Sequence, residues 1–435
     1  MTDGKISVGI DIGTSKIVTV IAKVDEEQTV HVLGVSEVKS AGIRKGQIVD
    51  IEDAVVSMNA SLEGAERMAG YSISHVIASI GGNHIESLNS KGVVAVATPE
   101  GEITENDLTR VIDAARAVSL PSTREIIHVL PRNYTVDGQE GIKDPTGMTG
   151  VRLEVDTHII SASATAVRNL EKALSEVGVD VDGVVFNGYA SSLATLSDTE
   201  KELGVVLVDI GAGTTDISIY VEGSVAYSSV LPIGARHITN DLAIGLRVSL
   251  ESAEQIKLFL SRPQKRSALT EFDEEPRKEI KTDEIDLAQL HLPEEVRKVS
   301  QKTLVEGIIR PRLNEIFTMI GMEIKKSGLV GQTPSGIVIT GGGAHTIGIV
   351  DSAKRMLAMP VRVGAPLNLK GIVDEVQNPA FATAIGLIHY GATIETKSSF
   401  SGFGLSMPKI PGMKKLPSGG KFSKKLFELL KSFIP

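Results

Sequence analysis

Two widely separated segments of the chain share one pattern of apolar and polar positions. Apolar residues alternate with other types over 6–12, and after a break at 13–15 β-branched residues continue as far as Ile21. Alternation on both sides of a glycine-containing break predicts a β-hairpin. The pattern returns at 205–220, around a second glycine-rich break. We therefore predict two related lobes, each opening with the same hairpin, that hold a ligand between them.

Elsewhere the spacing of apolar residues predicts helices and one further strand. Apolar positions recur every three or four residues over 167–178, and the glycine at the end suits a helix C-cap. The run at 337–340 is entirely β-branched and leads into three glycines, which predicts a buried strand followed by a glycine turn. A charged stretch at 265–295 is expected on the solvated surface. Further helices are predicted at 187–196, 252–260, 303–326 and 379–390.

Composition narrows the class of protein. The 435 residues include no Cys and no Trp, and only 4% are aromatic. Without Cys there are no disulfides, thiolate metal sites or Cys nucleophiles, which suits a reducing compartment. The scarcity of aromatic residues argues against stacking platforms for single-stranded nucleic acid. The N-terminus has no basic-then-apolar leader and no apolar run reaches about 18–20 residues, so we expect neither secretion nor a membrane span.

Charge sets the C-terminal segment apart from the rest of an acidic protein. The whole chain has a net charge of −9, whereas 397–435 contains eight lysines and a single acidic residue, Glu428. An acidic body with a short basic tail does not resemble a nucleic-acid binder, and the tail favours an anionic membrane surface or an acidic partner. Its first part, 396–420, is rich in Ser, Gly, Pro and Lys without a period, which predicts a flexible linker.

The end of the tail predicts an amphipathic membrane-targeting helix over 421–435. At about 100° per residue, its large apolar side chains fall on one face and its lysines lie opposite or on the flank. The apolar residues predicted to enter the membrane are Phe422, Leu426, Phe427, Leu429, Leu430, Phe433 and Ile434. The lysines predicted to face anionic lipid are Lys421, Lys424, Lys425 and Lys431.

The two hairpins and the glycine-rich strand end have the chemistry of a nucleotide site. A polyphosphate needs converging backbone N–H groups and a divalent cation held by carboxylates. Asp11 and Asp209 end equivalent strands, so we predict that both hold Mg²⁺ through water, with Lys16 neutralising phosphate charge and Asp216 orienting an attacking water. The other residues predicted to bind the nucleotide are Gly13, Thr14, Ser15, Gly211, Gly213, Thr214, Thr215, Gly341, Gly342 and Gly343.

These motifs, at 11–15, 209–216 and 339–343, resemble the two phosphate motifs and the adenosine motif of the actin, sugar-kinase and heat-shock-chaperone ATPase superfamily. Glu254 and Lys257 are similar to the pair with which its members contact the adenosine. The resemblance implies an α/β fold, an actin-like two-lobed ATPase built from duplicated ribonuclease H-like domains. It also implies that the cofactors are ATP and Mg²⁺.

The region from 81 to 161 shows a resemblance to one particular family within this superfamily. Its segments at 81–90, 127–134, 147–154 and 158–160 closely resemble the subdomain inserted into the bacterial cell-division FtsA family. The resemblance implies an inserted α+β subdomain in the first lobe. On this basis the predicted domains are a first lobe at 1–82, 162–196 and 378–395, the insert at 83–161, a second lobe at 197–377 with its smaller subdomain at about 240–325, the linker at 396–420 and the membrane helix at 421–435.

The resemblance to the FtsA family also implies a function. Members polymerise like actin and tether the ring of FtsZ, a tubulin-like protein, to the cytoplasmic side of the membrane at the division septum. They also help recruit later division proteins, here expected at residues 83–161. The partner's acidic C-terminal peptide is expected on 308–316, with Arg310, Arg312 and Glu315 among the contacts.

Turnover of ATP is expected to be weak or absent. Related ATPases place Glu or Gln at the start of the helix that corresponds to 188–193, where this chain offers Gly188 or, one register back, Asn187. Ala212 supplies no carboxylate inside the second loop. The protein is therefore expected to act mainly as a scaffold.

Two other functions share the nucleotide motifs. A small-molecule kinase of the same superfamily needs a catalytic Asp and a polar substrate pocket, and has no evident use for a basic amphipathic tail. A type IV pilus assembly protein shares a related insert but typically lacks a terminal membrane helix. A heat-shock chaperone is not expected, because the residues after Tyr390 are too few for a substrate-binding domain.

Overall fold

The computed structural model of the chain describes residues 5–97, 100–262, 283–294 and 298–393. Within them the strands are, in chain order, β1 (Lys5–Ile12), β2 (Lys16–Val24), β3 (Val30–Lys39), β4 (Ile43–Arg44), β5 (Gln47–Ile48), β6 (His75–Ile80), β7 (Glu86–Ala95), β8 (Arg124–Val136), β9 (Gln139–Ile142), β10 (Arg152–Ser163), β11 (Asp180–Phe186), β12 (Val205–Ile210), β13 (Thr215–Val221), β14 (Ser224–Leu231), β15 (Glu284–Asp286), β16 (Lys298–Ser300), β17 (Ile337–Thr340), β18 (Val361–Val363) and β19 (Leu369–Gly371).

The α-helices of the described residues are α1 (Ile51–Ala69), α2 (Glu105–Arg116), α3 (Ala164–Glu176), α4 (Asn187–Thr195), α5 (Asp198–Leu203), α6 (Arg236–Leu246), α7 (Leu250–Ser261), α8 (Gln301–Leu304), α9 (Arg310–Lys326), α10 (Ile349–Leu357), α11 (Val373–Val376) and α12 (Ala382–Thr393). Short 3₁₀ turns span Ala288–Leu290, Gly342–His345 and Pro379–Phe381, and a π turn spans Val305–Ile309. The helices predicted from apolar spacing are confirmed at α3, α4, α7 and α12, with ends that differ by a few residues.

Two sheets repeat one strand order. The first contains the row β3-β2-β1-β6-β11, and the second is the row β14-β13-β12-β17-β18. In each row the first three strands pair antiparallel with one another, and the last two run parallel to the central strand. The central strand β12 is buried along its whole length because helices cover both faces of its sheet. The repetition confirms the two related lobes predicted from the two hairpins.

The segment between β6 and α3 forms a separate antiparallel sheet. Its order is β7-β10-β8-β9, and α2 packs on one face through Val111 and Ala115 against Leu153 and Val155. This small layer of one helix on one sheet confirms the inserted α+β subdomain.

The helices α4 and α12 pack against each other beside the first sheet. α4 follows β11 directly and buries Ala190, Ser191 and Ala194, and α12 packs against it and against β1. The two helices approach closely at Gly386 of α12, where a Cβ would lie 1.7 Å from Ala190 O, in agreement with the tight packing predicted from the small residues of 187–196. Both helices carry residues toward the edge where the hairpins turn.

The segment predicted as one amphipathic helix at 303–326 is divided. α8 ends at Leu304, the π turn follows, and α9 begins at Arg310. Pro311 explains the division, since a proline ring has no N–H and collides with the carbonyl four residues earlier in a regular α-helix. The wider π turn relieves that collision.

The prediction that the second lobe extends to residue 377 is wrong for one strand within that range, β19. β19 pairs in parallel with β3 and so belongs to the first sheet. A local pattern of three residues does not reveal this pairing, because it joins segments more than 300 residues apart.

The predicted linker and membrane helix lie outside the described residues, as does most of the charged stretch at 265–295. Among the helices of the described residues, none combines the length and apolarity needed to cross a bilayer.

Candidate functional site

The two hairpin loops have the same internal turn and face each other. In the first loop Gly13 N–H donates to Lys16 O at 3.0 Å, and in the second Gly211 N–H donates to Thr214 O at 2.9 Å. The loops touch, since a side chain at Gly213 would meet Thr14 Oγ1 at 2.9 Å. The predicted phosphate loops therefore form the two walls of one cleft.

Most of the predicted site residues line this cleft. Its inner part is lined by Asp11, Gly13, Thr14, Ser15, Lys16, Asp209, Gly211, Thr214, Asp216, Gly341 and Gly342, together with residues that were not predicted, among them Gly46, Pro379, Ala380 and Thr383. Its outer part, about 500 Å³, is lined by Glu254, Lys257 and Gly343 with Arg236, Thr239 and Leu258. That volume lies in the range of small-molecule sites.

Thr215 does not line the cleft. It is fully buried, and its Oγ1 donates to Ile233 O at 2.8 Å, which ties β13 to the end of β14. The alternation of a strand explains this outcome, because Thr214 and Thr215 must point to opposite sides. The prediction that Thr215 contacts a ligand through its side chain is therefore not supported by its position.

Three carboxylates converge at the floor of the cleft. Asp209 and Asp216 are directly opposite each other in the β12–β13 register, and Asp11 is the next-to-last residue of β1. Burial raises the pKa of Asp11 and raises the pKa of Asp209 to about 6, with the charge of Asp11 adding to the second shift. Burial and the charges of both neighbours raise the pKa of Asp216 well above its ordinary value. A bound cation would offset this repulsion.

Residues distant in sequence hold two of these carboxylates. Ser79 Oγ donates to Asp11 Oδ1 at 2.8 Å, and Thr383 Oγ1 donates to Asp209 Oδ2 at 3.0 Å. Ser79 also accepts a hydrogen bond from Ile12 N–H at 2.9 Å. Sequence reasoning missed both hydroxyl residues because no local pattern marks them. They fix the carboxylates in place.

The structure decides between Asn187 and Gly188. Asn187 lines the inner cleft, and its buried Oδ1 has no hydrogen-bond partner in the described part of the chain. A side chain at Gly188 would instead meet the Phe186 ring at 2.8 Å and Ser218 Oγ at 2.9 Å. Asn187 is thus the residue that faces the site.

Two acceptor oxygens of the inner cleft have no hydrogen-bond partner among the described residues. These buried oxygens are Asp216 Oδ1 and Asn187 Oδ1, and Asp216 is only 2% exposed. A buried acceptor without a donor costs about 1–3 kcal/mol. Water molecules in the cavity that both residues line, including those of a hydrated cation, could donate to these oxygens, so the residues present fit a hydrated divalent ion.

Lys16 lies at the mouth of the cleft with a partner already in place. Its Nζ is 2.6 Å from Glu37 Oε2 and 4.2 Å from the centre of the Phe381 ring. These contacts hold the ammonium group beside the first loop. A polyphosphate there would share this lysine with Glu37 or displace the carboxylate.

The outer part of the cleft contains the predicted pair on α7. Lys257 Nζ is 2.7 Å from Glu254 Oε2 and 3.1 Å from Thr239 Oγ1 of α6. The lysine is only 7% exposed, so the pair is fixed by packing as well as by charge. Their spacing of three residues on α7 places both side chains on the face of the helix that lines the cleft.

Gly341 closes the floor of the cleft. Its φ is 84°, in the left-handed region, and a Cβ there would lie 2.2 Å from Asp209 Oδ1. Only glycine allows the backbone after β17 to pass this close to the carboxylate.

The residues predicted to contact FtsZ are bonded within the chain. Arg312 donates to both carboxylate oxygens of Asp241 on α6, at 2.6 and 2.9 Å, and also binds Glu315. Arg310 pairs with Glu306 of the π turn. The structure therefore brings Arg312 and Glu315 together on α9. The predicted membrane residues lie outside the described residues.

Two family models match the chain. One, described as the SHS2 domain inserted in FTSA, matches residues 82–161, and one described as cell division protein FtsA matches 206–386. The FtsA protein of Pseudomonas aeruginosa is 38% identical over 419 residues, which cover 95% of this chain and 97% of that protein. The chain belongs to the FtsA family. The FtsA protein of Escherichia coli K12 is 34% identical over 401 residues, covering 90% and 91% of the two chains.

Membership of the FtsA family establishes a role in cell division. It also removes the pilus assembly alternative. The solved PilM–PilN type IV pilus biogenesis complex is similar to this chain in fold alone, with a TM-score of 0.61 and 15% identity. The match covers 89% of this chain and 99% of the solved one. The MamK double helical filament has a TM-score of 0.50 at 14% identity, over 90% and 99%. The actin-like two-lobed fold with the FtsA-type insert is thereby confirmed.

Proposed function

We propose that the cleft binds ATP with Mg²⁺. The observation that carries this proposal is the convergence of two matched glycine loops on three carboxylates, beside which Asp216 Oδ1 and Asn187 Oδ1 have no hydrogen-bond partner among the described residues. Backbone N–H groups of such loops suit phosphate oxygens, and a hydrated divalent cation suits the carboxylates. The outer cavity beside α7 has the size for the nucleoside.

Each site residue then has a defined task. Asp11 and Asp209 would hold the cation through its water molecules, and Lys16 would face the terminal phosphates. Glu254 and Lys257 would flank the adenosine, with Gly341, Gly342 and Gly343 beneath it. When bound, the cation supplies neutralisation of phosphate charge. Asp216 and Asn187 would orient a water. Because Asn187 is a neutral amide that cannot act as a base, and Ala212 supplies no carboxylate in the second loop, we infer weak or negligible ATP hydrolysis.

Calorimetric titration with ATP and MgCl₂ tests the site. Asp209→Asn keeps the shape of the side chain but removes its charge, and we expect ATP affinity to fall by about tenfold or more. Asp182→Asn is the matched control, because Asp182 is an exposed carboxylate that pairs with His75 on the first sheet. Equal affinities of the two variants would refute this assignment of the cation site.

We propose further that the protein polymerises and tethers the FtsZ ring to the cytoplasmic face of the cell membrane at the septum. FtsA family membership supports this role, and so does the basic amphipathic pattern of 421–435. The four lysines there would contribute about 1 kcal/mol each beside anionic lipid, so one copy binds reversibly and a filament binds by avidity. Attachment thus depends on assembly.

Co-sedimentation of the purified protein and FtsZ with anionic vesicles, with and without ATP, tests the tether. Replacing Phe427 and Leu430 by Glu should leave ATP binding intact and abolish recovery with vesicles. Replacing Ser423 and Ser432 by Ala is the control, since it alters the same segment without adding charge. If the Glu variant pellets like the unmodified protein, the membrane anchor lies elsewhere in the chain.

Two further surfaces, the insert and α9, are assigned on the basis of membership in the FtsA family. We propose that 83–161 serves as a longitudinal filament surface and a docking surface for later division proteins, and that α9 receives the FtsZ C-terminal peptide through Arg312, Glu315 and the nearby Arg310. Electron microscopy on lipid monolayers with ATP tests assembly. Dispersed monomers at high protein concentration would contradict it.

A further inference from the structure

One buried histidine of the insert is bonded to the first lobe. His128 on β8 is only 4% exposed, and its Nε2 accepts a hydrogen bond from Phe186 N–H at 3.1 Å. Its ring packs edge-on against Tyr189 and Tyr390, with centroids 5.1 and 5.7 Å away. Phe186 is the residue that precedes α4, and the next residue, Asn187, lines the cleft. His128 therefore joins the insert to the start of α4.

A second buried histidine joins the insert to the second lobe. His158 on β10 is 1% exposed, with Nδ1 at 2.7 Å from Asn89 Oδ1 and Nε2 at 3.0 Å from Ser228 Oγ of β14. Asn89 Nδ2 donates to Ala226 O at 3.2 Å, so its Oδ1 is an acceptor. His158 must then donate from Nδ1 and accept from Ser228.

The same junction has a second layer of hydrogen bonds. Ser87 Oγ on β7 donates to Ser228 O at 2.7 Å and accepts from Ser228 N–H at 3.3 Å. Ser228 thus makes backbone and side-chain bonds to the insert. Because Ser228 is only 2% exposed, water does not readily replace a partner lost there, and leaving its polar groups unpaired is costly.

Both histidines act as neutral hydrogen-bond partners. Burial lowers the pKa of His128 to about 4 and that of His158 to about 3. Neither ring supplies charge near neutral pH, so the two junctions depend on geometry. His128 and His158 lie two register positions apart on the neighbouring strands β8 and β10, so one region of the insert contacts both the helix beside the cleft and the outer strand of the second sheet.

We propose that the insert is a brace between the two lobes, so that ligand binding in the cleft and docking of the insert are energetically coupled. The coupling rests on the proposed nucleotide binding, since ATP would bring the lobes that form the cleft into one defined arrangement. Coupling between two sites is reciprocal. A partner that binds the docked insert would therefore raise the ATP affinity by the same factor by which ATP favours the docked insert.

Hydrogen exchange of the full chain, measured by mass spectrometry, tests the brace. With ATP and MgCl₂, exchange in β7 and β10 should slow by about fivefold or more, the lower range of typical coupling. His128→Leu and Ser228→Ala should each remove most of that response. His128→Gln retains an acceptor and should restore it, and His75→Leu, a change at an exposed histidine of the first sheet, should leave it unaltered.

A second measurement needs no nucleotide. Ser228→Ala, at the second-lobe junction, should speed exchange of the amides at 186–190, at the first-lobe junction, by about threefold or more in the empty protein. Unchanged exchange there overturns the brace, as does an insert that responds to ATP equally in Ser228→Ala and unmodified protein. Absence of calorimetric heat with ATP would instead reject the proposed nucleotide site, and the empty-protein measurement would still decide the brace.

Discussion

Arg312 on α9 binds both carboxylate oxygens of Asp241 on α6, with Nε and Nη2 at 2.6 and 2.9 Å from them. The pair fastens two helices of the second lobe to each other. An acidic peptide that docks on α9 must share this guanidinium with Asp241 or displace the carboxylate. The competition gives Asp241 a definite effect on peptide affinity.

We expect Asp241→Asn to strengthen binding of the FtsZ C-terminal peptide and Arg312→Glu to weaken it. Removing the competing carboxylate frees the guanidinium, for an expected gain of about threefold, whereas charge reversal should cost about tenfold or more. Fluorescence anisotropy of a labelled peptide measures both. Arg355→Glu on the neighbouring α10 is the charge control. Weaker binding by Asp241→Asn would show that the intact pair, rather than a free arginine, forms the docking surface.

Asp209→Asn should stabilise the empty protein at pH 7.5. The folded-state pKa of Asp209 is about 6, above the ordinary 3.8, so its ionisation above pH 6 disfavours the fold. An amide avoids that cost, and the free energy of unfolding should rise by about 1–3 kcal/mol.

The gain from Asp209→Asn should disappear near pH 4, where the carboxyl group is protonated in the folded protein. Urea unfolding of both proteins at the two pH values, without nucleotide, measures the difference. If the variant is less stable than the unmodified protein at pH 7.5, the ionised Asp209 stabilises the fold by accepting the hydrogen bond from Thr383, and its burial does not destabilise the fold.

Adjacent glycines at the floor of the cleft should respond differently to alanine. Gly341→Ala places a methyl group 2.2 Å from Asp209 Oδ1 at a positive φ, and should cost about 2–4 kcal/mol of stability. Gly342→Ala is the matched control, because the nearest atom to its new methyl group is 4.0 Å away. It should fold normally yet bind ATP more weakly, since it lines the cavity. Thermal unfolding and calorimetry separate the two effects, and equal stability losses would contradict the close approach at Gly341.

Acid should weaken the protein through the two buried histidines. Each has a folded-state pKa below the unfolded value of 6.5, so below pH 6.5 the unfolded chain takes up protons that the folded chain does not. Stability is therefore lost as the pH falls from 6.5 toward 4. In His128→Gln, the loss between pH 7 and 5 should be smaller by about 1–2 kcal/mol, as followed by urea unfolding. An identical loss in both proteins would show that His128 is not kept neutral by the fold.

The amino-acid sequence alone determined the elements whose patterns are local. Apolar alternation located both hairpins, glycines marked their loops, and the carboxylates at the strand ends identified the cleft, because side-chain direction in a strand follows from position alone. Resemblance in the three nucleotide motifs and in 81–161 was enough to indicate the fold and the family. These features depend on residues close together in the chain.

Only the tertiary structure decided which side chains meet. Thr383 reaches Asp209 across 174 residues, and the choice of Asn187 over Gly188 depends on the space beside Phe186. Arg312, which the sequence predicted to contact FtsZ, already has Asp241 as its partner. His128 meets Phe186 only because the insert folds back on α4. Such contacts arise from packing between distant segments, where burial and available volume select the partner. No local pattern encodes them.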